Sequence, residues 1–218
     1  MSTRKACNWL TAVAGLVTAL TMAPAGAVPL LEINPDERAS PVGIYEYYNA
    51  RTDHYFVTGT AAEIALLETL ATGDWRRDSD EPAFMAFESA VTVLHVDSGN
   101  PQAQPVCRFF IPPASHFLSV SKAECELVAA SYPAFVFESA SAFYAWLPDP
   151  ATGTCPEMRL ESGGFDFAPV YRLWNARADT NHRLTASRSE RAAMIEQGWV
   201  SEGYGPDGVA MCVPHWTN

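Results

Sequence analysis

Three histidines are the first residues of this sequence whose type and spacing suggest chemistry. His54, His116 and His182 are 62 and 66 residues apart, and each follows a similar strand-like sequence. Three imidazoles that converge on one point are able to hold a zinc ion. The alternative is that each histidine serves its own hairpin, bonded to a backbone carbonyl or to a nearby asparagine. We expect this structural role, and we therefore expect neither a metal nor another cofactor.

Glutamates recur beside the histidines. Glu63, Glu124 and Glu190 each stand three residues after a hydroxyl-bearing residue, which is the spacing of a capping box at the start of a helix. The hydroxyl residues are Thr60, Ser121 and Ser187. Helix capping accounts for these groups without catalysis. The sequence also has no Gly-x-Ser-x-Gly elbow, no His-Glu-x-x-His pair and no phosphate-binding glycine loop, so we expect no enzyme activity.

Two polar turns of the form Asn-Ala-Arg-x-Asp are the best candidates for a binding surface. They supply the six predicted ligand-binding residues, Asn49, Arg51, Asp53, Asn175, Arg177 and Asp179. Aromatic residues recur near both turns, and a sugar ring has an apolar face that packs on an aromatic side chain and a polar edge that hydrogen-bonds. We therefore hypothesise that the turns bind a carbohydrate. The alternative is that the asparagines and aspartates simply make good turns while the aromatic residues fill a core.

These residues belong to three similar stretches of sequence. Residues 44–51 align closely with residues 170–177, and residues 106–118 form a weaker copy between them. In each stretch a capping box, apolar residues at helical spacing and a closing strand follow the histidine. The sequence predicts an α+β fold of three pseudo-threefold repeats, each a β-hairpin, a short capped helix and a further strand, which share one core. The units span about 42–88, 105–147 and 169–213, within one domain of residues 42–218.

The N-terminus is typical of a secretory signal peptide. Arg4 and Lys5 precede an uncharged apolar run over residues 10–22, and the small residues 25–27 suit a signal peptidase. We predict a signal peptide over residues 1–27 and a lead-in segment over residues 28–41. No later stretch is long and apolar enough for membrane insertion. The sequence therefore predicts a secreted or periplasmic protein.

The charge beyond residue 27 limits the partners. That part of the chain holds 12 Lys and Arg against 25 Asp and Glu. Because contacts to phosphate need clustered cations, we expect no nucleic-acid partner and no attachment to anionic membrane surfaces.

Four cysteines remain after residue 27, and an oxidising compartment favours two disulfides. Alignment of the copies places Cys107 on the first strand of the middle copy and Cys125 in its first helical turn. If strand and helix touch in every copy, these two cysteines form a bridge. Cys155 and Cys212 then pair by elimination.

The third copy carries a recognisable signature. It reads Tyr-x-x-Trp-Asn over residues 171–175, then His182, and then Gly-Trp and Glu-Gly within residues 198–204. The signature resembles a repeat family of unknown function in secreted bacterial and fungal proteins, sometimes joined to cell-wall glycoside hydrolases or peptidases. The resemblance covers most of residues 42–217, but residues 111–113 of the middle copy read Ile-Pro-Pro where the others have Asn-Ala-Arg. It implies export, repetition and attachment to glycan surfaces.

The sequence leads to one functional hypothesis and two alternatives. The leading hypothesis is an exported, non-catalytic module that binds a glycan or another component of the cell envelope. One alternative is an exported hydrolase that acts on cell-wall or polysaccharide material through an unrecognised pair of carboxylates. The other is a structural spacer. The ligand, the oligomeric state and the closure of the repeats into a ring stay open.

Overall fold

A computed structural model describes residues 41–69, 74–90, 102–156 and 166–215. These residues form mostly β-sheet with a few short helices, which is consistent with the α+β class. The predicted signal peptide, residues 1–27, and residues 28–40 of the predicted lead-in lie outside the described residues.

The described chain falls into three segments with similar orders of elements. The first segment contains β1 (Pro41–Asn49), β2 (His54–Thr58), α1 (Ala61–Thr69), β3 (Trp75–Arg77) and β4 (Phe84–Phe87). The second contains β5 (Gln104–Pro105), β6 (Cys107–Ile111), β7 (Ser115–Ser119), α2 (Lys122–Ser131), β8 (Val136–Ser139) and β9 (Tyr144–Ala145). The third contains β10 (Asp166–Trp174), β11 (His182–Thr185), α3 (Arg188–Glu196), β12 (Val200–Glu202) and β13 (Val209–His215).

The two nine-residue strands, β1 and β10, each serve two sets of partners. The C-terminal half of β1 pairs antiparallel with β2 and β3, and its N-terminal half pairs with β4. The strand β10 pairs in the same way with β11 and β12, and then with β13. In the second segment β6 pairs with β7 and β8. The pairs β1–β2, β6–β7 and β10–β11 are the three hairpins, and we call their members the first and second strands. The second strands β2, β7 and β11 also contact one another, so the three hairpins meet at one place.

One core cluster takes apolar side chains from all three segments. The first strand of the first segment and that of the third supply Ile44 and Val170, and Val106 occupies the corresponding place just before β6. The second strands supply Val57, Leu118 and Leu184, and the last strands of the first and third segments supply Phe84 and Met211. Strand side chains alternate between two faces, which is why each segment can give one apolar face to this core while the other face carries polar groups.

The helices lie on the surface, and each of the three begins directly after its predicted hydroxyl residue, Thr60, Ser121 or Ser187. The Ser121 and Ser187 side chains accept hydrogen bonds from the backbone N–H groups of Glu124 and Glu190. One helical turn later, Val128 and Met194 are the buried residues of α2 and α3. The helix α3 ends at Glu196, and Gly198 two residues later has a φ of +93° that suits glycine. None of the described helices is long and apolar enough to cross a membrane.

The two disulfides have the predicted pairings. Cys107 on β6 is joined to Cys125 in the first turn of α2, with 6.3 Å between their Cα atoms. Cys155 is joined to Cys212 on β13, with 5.6 Å between their Cα atoms. The first bridge therefore fixes a helix to its own sheet, and the second fixes the connector after β9 to the last strand.

Removal of a disulfide should cost more stability when the loop that it closes is longer, although the cost rises only with the logarithm of the loop length. The Cys107–Cys125 bridge closes 18 residues, so replacing both cysteines by alanine should lower the free energy of unfolding by about 3 kcal/mol. The Cys155–Cys212 bridge closes 57 residues, and its loss should cost about 4 kcal/mol. Urea denaturation followed by tryptophan fluorescence measures both values. Two variants as stable as the parent would contradict the expectation.

Candidate functional site

Each predicted binding turn is built around a buried asparagine side chain. In the first segment the Asn49 Oδ1 accepts the backbone N–H groups of Arg51 and Thr52, at 3.1 and 3.2 Å. In the third segment the Asn175 Oδ1 accepts the backbone N–H of Arg177 at 3.2 Å. An asparagine side chain can replace a missing backbone partner in this way. The two asparagines therefore shape their turns from within.

Arg177 joins the two turns to each other. Its Nη1 donates to the Asp53 Oδ2 of the first segment at 2.7 Å, and its Nε donates to the Asp179 Oδ1 of its own turn at 3.1 Å. These hydrogen bonds raise the pKa of Arg177. Burial alone would raise the pKa of Asp179, but the hydrogen bonds from Arg177 and Asn175 lower it below the usual range. We call Asp53, Asn175, Arg177 and Asp179 the polar cluster.

Arg51 does not join the polar cluster, although its place in the first turn matches that of Arg177 in the third segment. Its Nε donates to Asp74 instead, and its side chain is 71% exposed. The side chains of Asp53, Arg177 and Asp179 are between 41% and 45% exposed. The structure thus brings together four of the six predicted residues, keeps Asn49 inside its own turn and places Arg51 apart.

Three half-buried aromatic side chains lie beside the polar cluster. The Tyr48 hydroxyl donates to the Asp53 Oδ1 at 3.1 Å. The ring centroids of Tyr48 and Tyr55 are 4.9 Å apart, and those of Tyr55 and Trp199 are 6.1 Å apart. Burial raises the pKa of Tyr55 to about 12, so its hydroxyl stays protonated. We call Tyr48, Tyr55 and Trp199 the aromatic strip.

The backbone of the two turns has an uncommon conformation. Among the described residues, the non-glycine residues with positive φ are Asp53, Ala176 and Thr180, at +56°, +52° and +34°. Side-chain clashes make this left-handed region unfavourable for residues other than glycine. The hydrogen bonds of the polar cluster hold Asp53 in it. Such outliers concentrate at functional sites, where the surrounding structure enforces them.

The three histidines do not all occupy equivalent positions, contrary to the sequence alignment, because His54 differs from the other two. The second strands end at Thr58, Ser119 and Thr185, and their hydroxyls face the glutamates at the starts of the three helices. Counted back from these residues, the counterparts of His54 are Ser115 and Asn181. The counterpart of both His116 and His182 is a tyrosine, Tyr55. Loops of different lengths before the strands produced the misalignment.

A buried polar centre forms where the three hairpins meet. His54, Ser115 and Asn181 are each at most 1% exposed. The Asn181 Oδ1 accepts the Ser115 hydroxyl at 3.4 Å, and its Nδ2 donates to the backbone carbonyl of Asp53 at 3.2 Å. This centre ties the polar cluster above it to all three segments.

Each histidine faces a carboxylate rather than the predicted carbonyl or asparagine. The Nε2 atoms of His54, His116 and His182 lie 3.3 to 3.4 Å from the carboxylates of Asp179, Glu138 and Glu202. No group of three His, Cys, Asp or Glu side chains suited to a metal ion was found within the described ranges.

The helix-start glutamates contact the neighbouring segment. Glu63 binds both terminal nitrogens of Arg108, and Glu124 binds those of Arg172 at 2.6 and 3.1 Å. Each arginine therefore lies on the first strand of the segment that follows the glutamate. Only one half of the predicted capping box therefore forms. The serine side chains cap their helices, whereas the Glu63 and Glu124 carboxylates accept hydrogen bonds from arginines and not from the backbone at the helix start.

Each of these arginines also binds a second carboxylate and packs on a phenylalanine. The Nε of Arg108 donates to Glu138 at 2.9 Å, and the Nε of Arg172 donates to Glu202 at 3.0 Å. The guanidinium of Arg108 lies 5.4 Å from the ring centroid of Phe56. That of Arg172 lies 4.4 Å from the ring centroid of Phe117. The sequence analysis did not single out these arginines. Each stands as a charged residue within an otherwise apolar stretch of strand, and this pattern could have identified them.

Loss of Arg177 should destabilise the contact between the two turns. Arg177→Ala removes the hydrogen bonds to both aspartates, and we expect the free energy of unfolding to fall by about 1 kcal/mol. Arg51→Ala is the matched control, since it removes an exposed arginine from the equivalent place in the other turn. Urea denaturation should show a change within about 0.5 kcal/mol for this control. Equal effects of the two substitutions would contradict the role of Arg177.

The contacts between helix-start glutamates and arginines should make the stability of the protein depend on pH. Burial alone would raise the pKa of Glu124, but its hydrogen bonds with Arg172 outweigh burial and lower the pKa. A lowered pKa in the folded state gives stability that is present above the ordinary value of 4.5 and is lost as the pH falls through the lowered value. Glu124→Gln should therefore cost about 2 kcal/mol at pH 7 and less at pH 3.

The control for this pH dependence is Glu126→Gln on the same helix. Glu126 is 69% exposed and forms an ion pair only with Lys122 among the described residues. Its substitution should leave the stability profile between pH 7 and pH 3 unchanged. If the stability of Glu124→Gln and that of the parent protein changed with pH in the same way, the contact between Glu124 and Arg172 would not contribute to the pH dependence.

Comparison with known proteins places the chain in one family. The family profile described as "Domain of unknown function (DUF5648)" matches residues 43–209, which extend from β1 of the first segment to the first residue of β13 in the third. Comparisons with curated proteins and with solved structures gave no match. Because the matched range covers well over half of the chain, the protein belongs to the DUF5648 family.

Proposed function

We propose that the protein is an exported, non-catalytic module that binds a glycan or another component of the cell envelope. The observation that carries the proposal is the position of the aromatic strip against the half-exposed polar cluster. An aromatic side chain offers a surface to the apolar face of a sugar ring, while carboxylates accept hydrogen bonds from its hydroxyl groups. We further propose that the three segments are repeats of one unit.

The hydrogen bonding of Asp53 leaves capacity for a ligand. One carboxylate oxygen accepts the Tyr48 hydroxyl and the other accepts Arg177. A carboxylate has about four acceptor positions, so two remain for the hydroxyl groups of a ligand. Because Asp53 is held by groups of both the first and third segments, these acceptors have a fixed direction. Fixed groups lose little conformational entropy on binding.

Two features support export. The predicted signal peptide at residues 1–27 directs the chain out of the cytoplasm. The two disulfides are typical of proteins from oxidising compartments. The repeat proposal is supported by the shared order of strands and helices and by the common use of Val57, Leu118 and Leu184 in the core.

Removal of an aromatic side chain from the strip should weaken binding. Insoluble peptidoglycan, chitin and cellulose are incubated with the protein and sedimented, and we expect at least one to retain it. Trp199→Ala should weaken that retention at least tenfold, because stacking on an aromatic ring is lost. Trp75→Ala is the matched control, since Trp75 is half-buried and pairs with Asn49 on the opposite face of β1 from Tyr48.

The outcomes of this experiment separate the functional alternatives. Failure of all three polymers to retain the protein would overturn glycan binding by this surface. Retention that Trp199→Ala leaves intact would assign binding to another surface. Release of soluble sugars or peptides from the polymers would contradict a non-catalytic module and favour the hydrolase.

A further inference from the structure

Two of the three contacts between segments follow one pattern. A carboxylate at a helix start binds an arginine on the first strand of the next segment, and a phenylalanine on a second strand lies against that arginine. In the first contact the groups are Glu63, Arg108 and Phe56. In the second they are Glu124, Arg172 and Phe117.

The contact between the third and first segments reverses the charges. Glu46 stands on β1 where Arg172 stands on β10, and Arg183 stands on β11 where Phe117 stands on β7. The Arg183 Nε donates to the Glu46 Oε1 at 3.0 Å, and its Nη2 donates to the Oε2 at 2.6 Å. The same guanidinium also binds Glu190 at the start of α3. The carboxylate–guanidinium contact is thus kept, with the arginine on the opposite strand.

We infer that the reversed pair of Glu46 and Arg183 is a closure joint that commits the third segment to the first segment of the same chain. The inference is independent of the proposed function. It concerns which surfaces pair, and the competing partner is a second copy of this chain.

Incorrect pairings of the segments are penalised by this reversal. A first strand bearing Glu46 that met Phe56 or Phe117 would bury a carboxylate without a cation. A second strand bearing Arg183 that met Arg108 or Arg172 would place two guanidinium groups side by side, and both would compete for Glu190 at the helix start. Both arrangements are less favourable than the native pair, so the joint selects its partner by repulsion as well as by attraction.

The burial of the pair makes this selection strict. Glu46 is 6% exposed and Arg183 is 9% exposed. Burial raises the pKa of Glu46 above its usual range even though Arg183 binds both of its oxygens. A carboxylate that is unfavourable when paired is more unfavourable without its partner. If all three contacts had the same polarity, any helix-start glutamate would suit any first strand, and segments could exchange between copies.

Four variants test the inference. Glu46→Arg places two cations together, and Arg183→Phe leaves Glu46 and Glu190 without their shared cation. The double variant Glu46→Arg/Arg183→Phe recreates the pattern of the other two contacts, with Glu190 at the helix start and Asp78 close by. The surface substitution Glu126→Arg is the control for a matched change of charge. Each protein is unfolded in urea, refolded at high concentration and measured by size-exclusion chromatography with light scattering.

Both single variants should unfold at a clearly lower urea concentration than the parent, and the double variant should regain at least half of that loss. After refolding, the parent and Glu126→Arg should be monomers. The double variant should give at least fivefold more dimer, because its contacts no longer distinguish the segments. A double variant that does not fold, or single variants as stable as the parent, would overturn the joint. A stable double variant that refolds only to monomer would overturn its selectivity.

Discussion

A buried guanidinium held between carboxylates is the interaction on which the rest of the structure depends. Arg108, Arg172 and Arg183 each lie where two segments meet, and each binds at least two carboxylates. An isolated cation at such a place would be too costly to bury, and so would an isolated carboxylate. Consequently the strands on both sides must keep their register, because a shift of one residue would turn the charged side chain to the other face.

The candidate site inherits its geometry from this framework. The guanidinium of Arg183 lies 4.2 Å from the ring centroid of Tyr55, so the joint between the third and first segments lies directly beneath the aromatic strip. Above it, Arg177 spans from its own turn to Asp53. The site is therefore composite. Its aromatic residues and its carboxylates come from both segments, and neither segment alone contains the arrangement.

Local patterns in the sequence predicted the local structure well. The serines before Glu124 and Glu190 begin helices, and the Cys107–Cys125 pairing follows from the proximity of a strand to its helix. The Cys155–Cys212 pairing then follows by elimination. The prediction also grouped two distant turns into one candidate surface. It failed where a result depended on contacts between segments. The missed partners of the helix-start glutamates belong to that class, because single-chain periodicity shows which face is buried but not what it meets. The misaligned histidines have a different cause, which is the unequal length of the loops before the second strands.

The separation along the chain between Glu46 and Arg183 has a consequence for the order of folding. They are 137 residues apart, whereas the strands of each hairpin are neighbours in sequence. Contacts between distant residues form late, because they require a large loop to close. The first segment must therefore exist for a time with Glu46 in water, where a charged carboxylate is well hydrated. Glu46 is costly to bury in the final structure, but before the third segment packs against β1 it keeps that exposed surface hydrophilic.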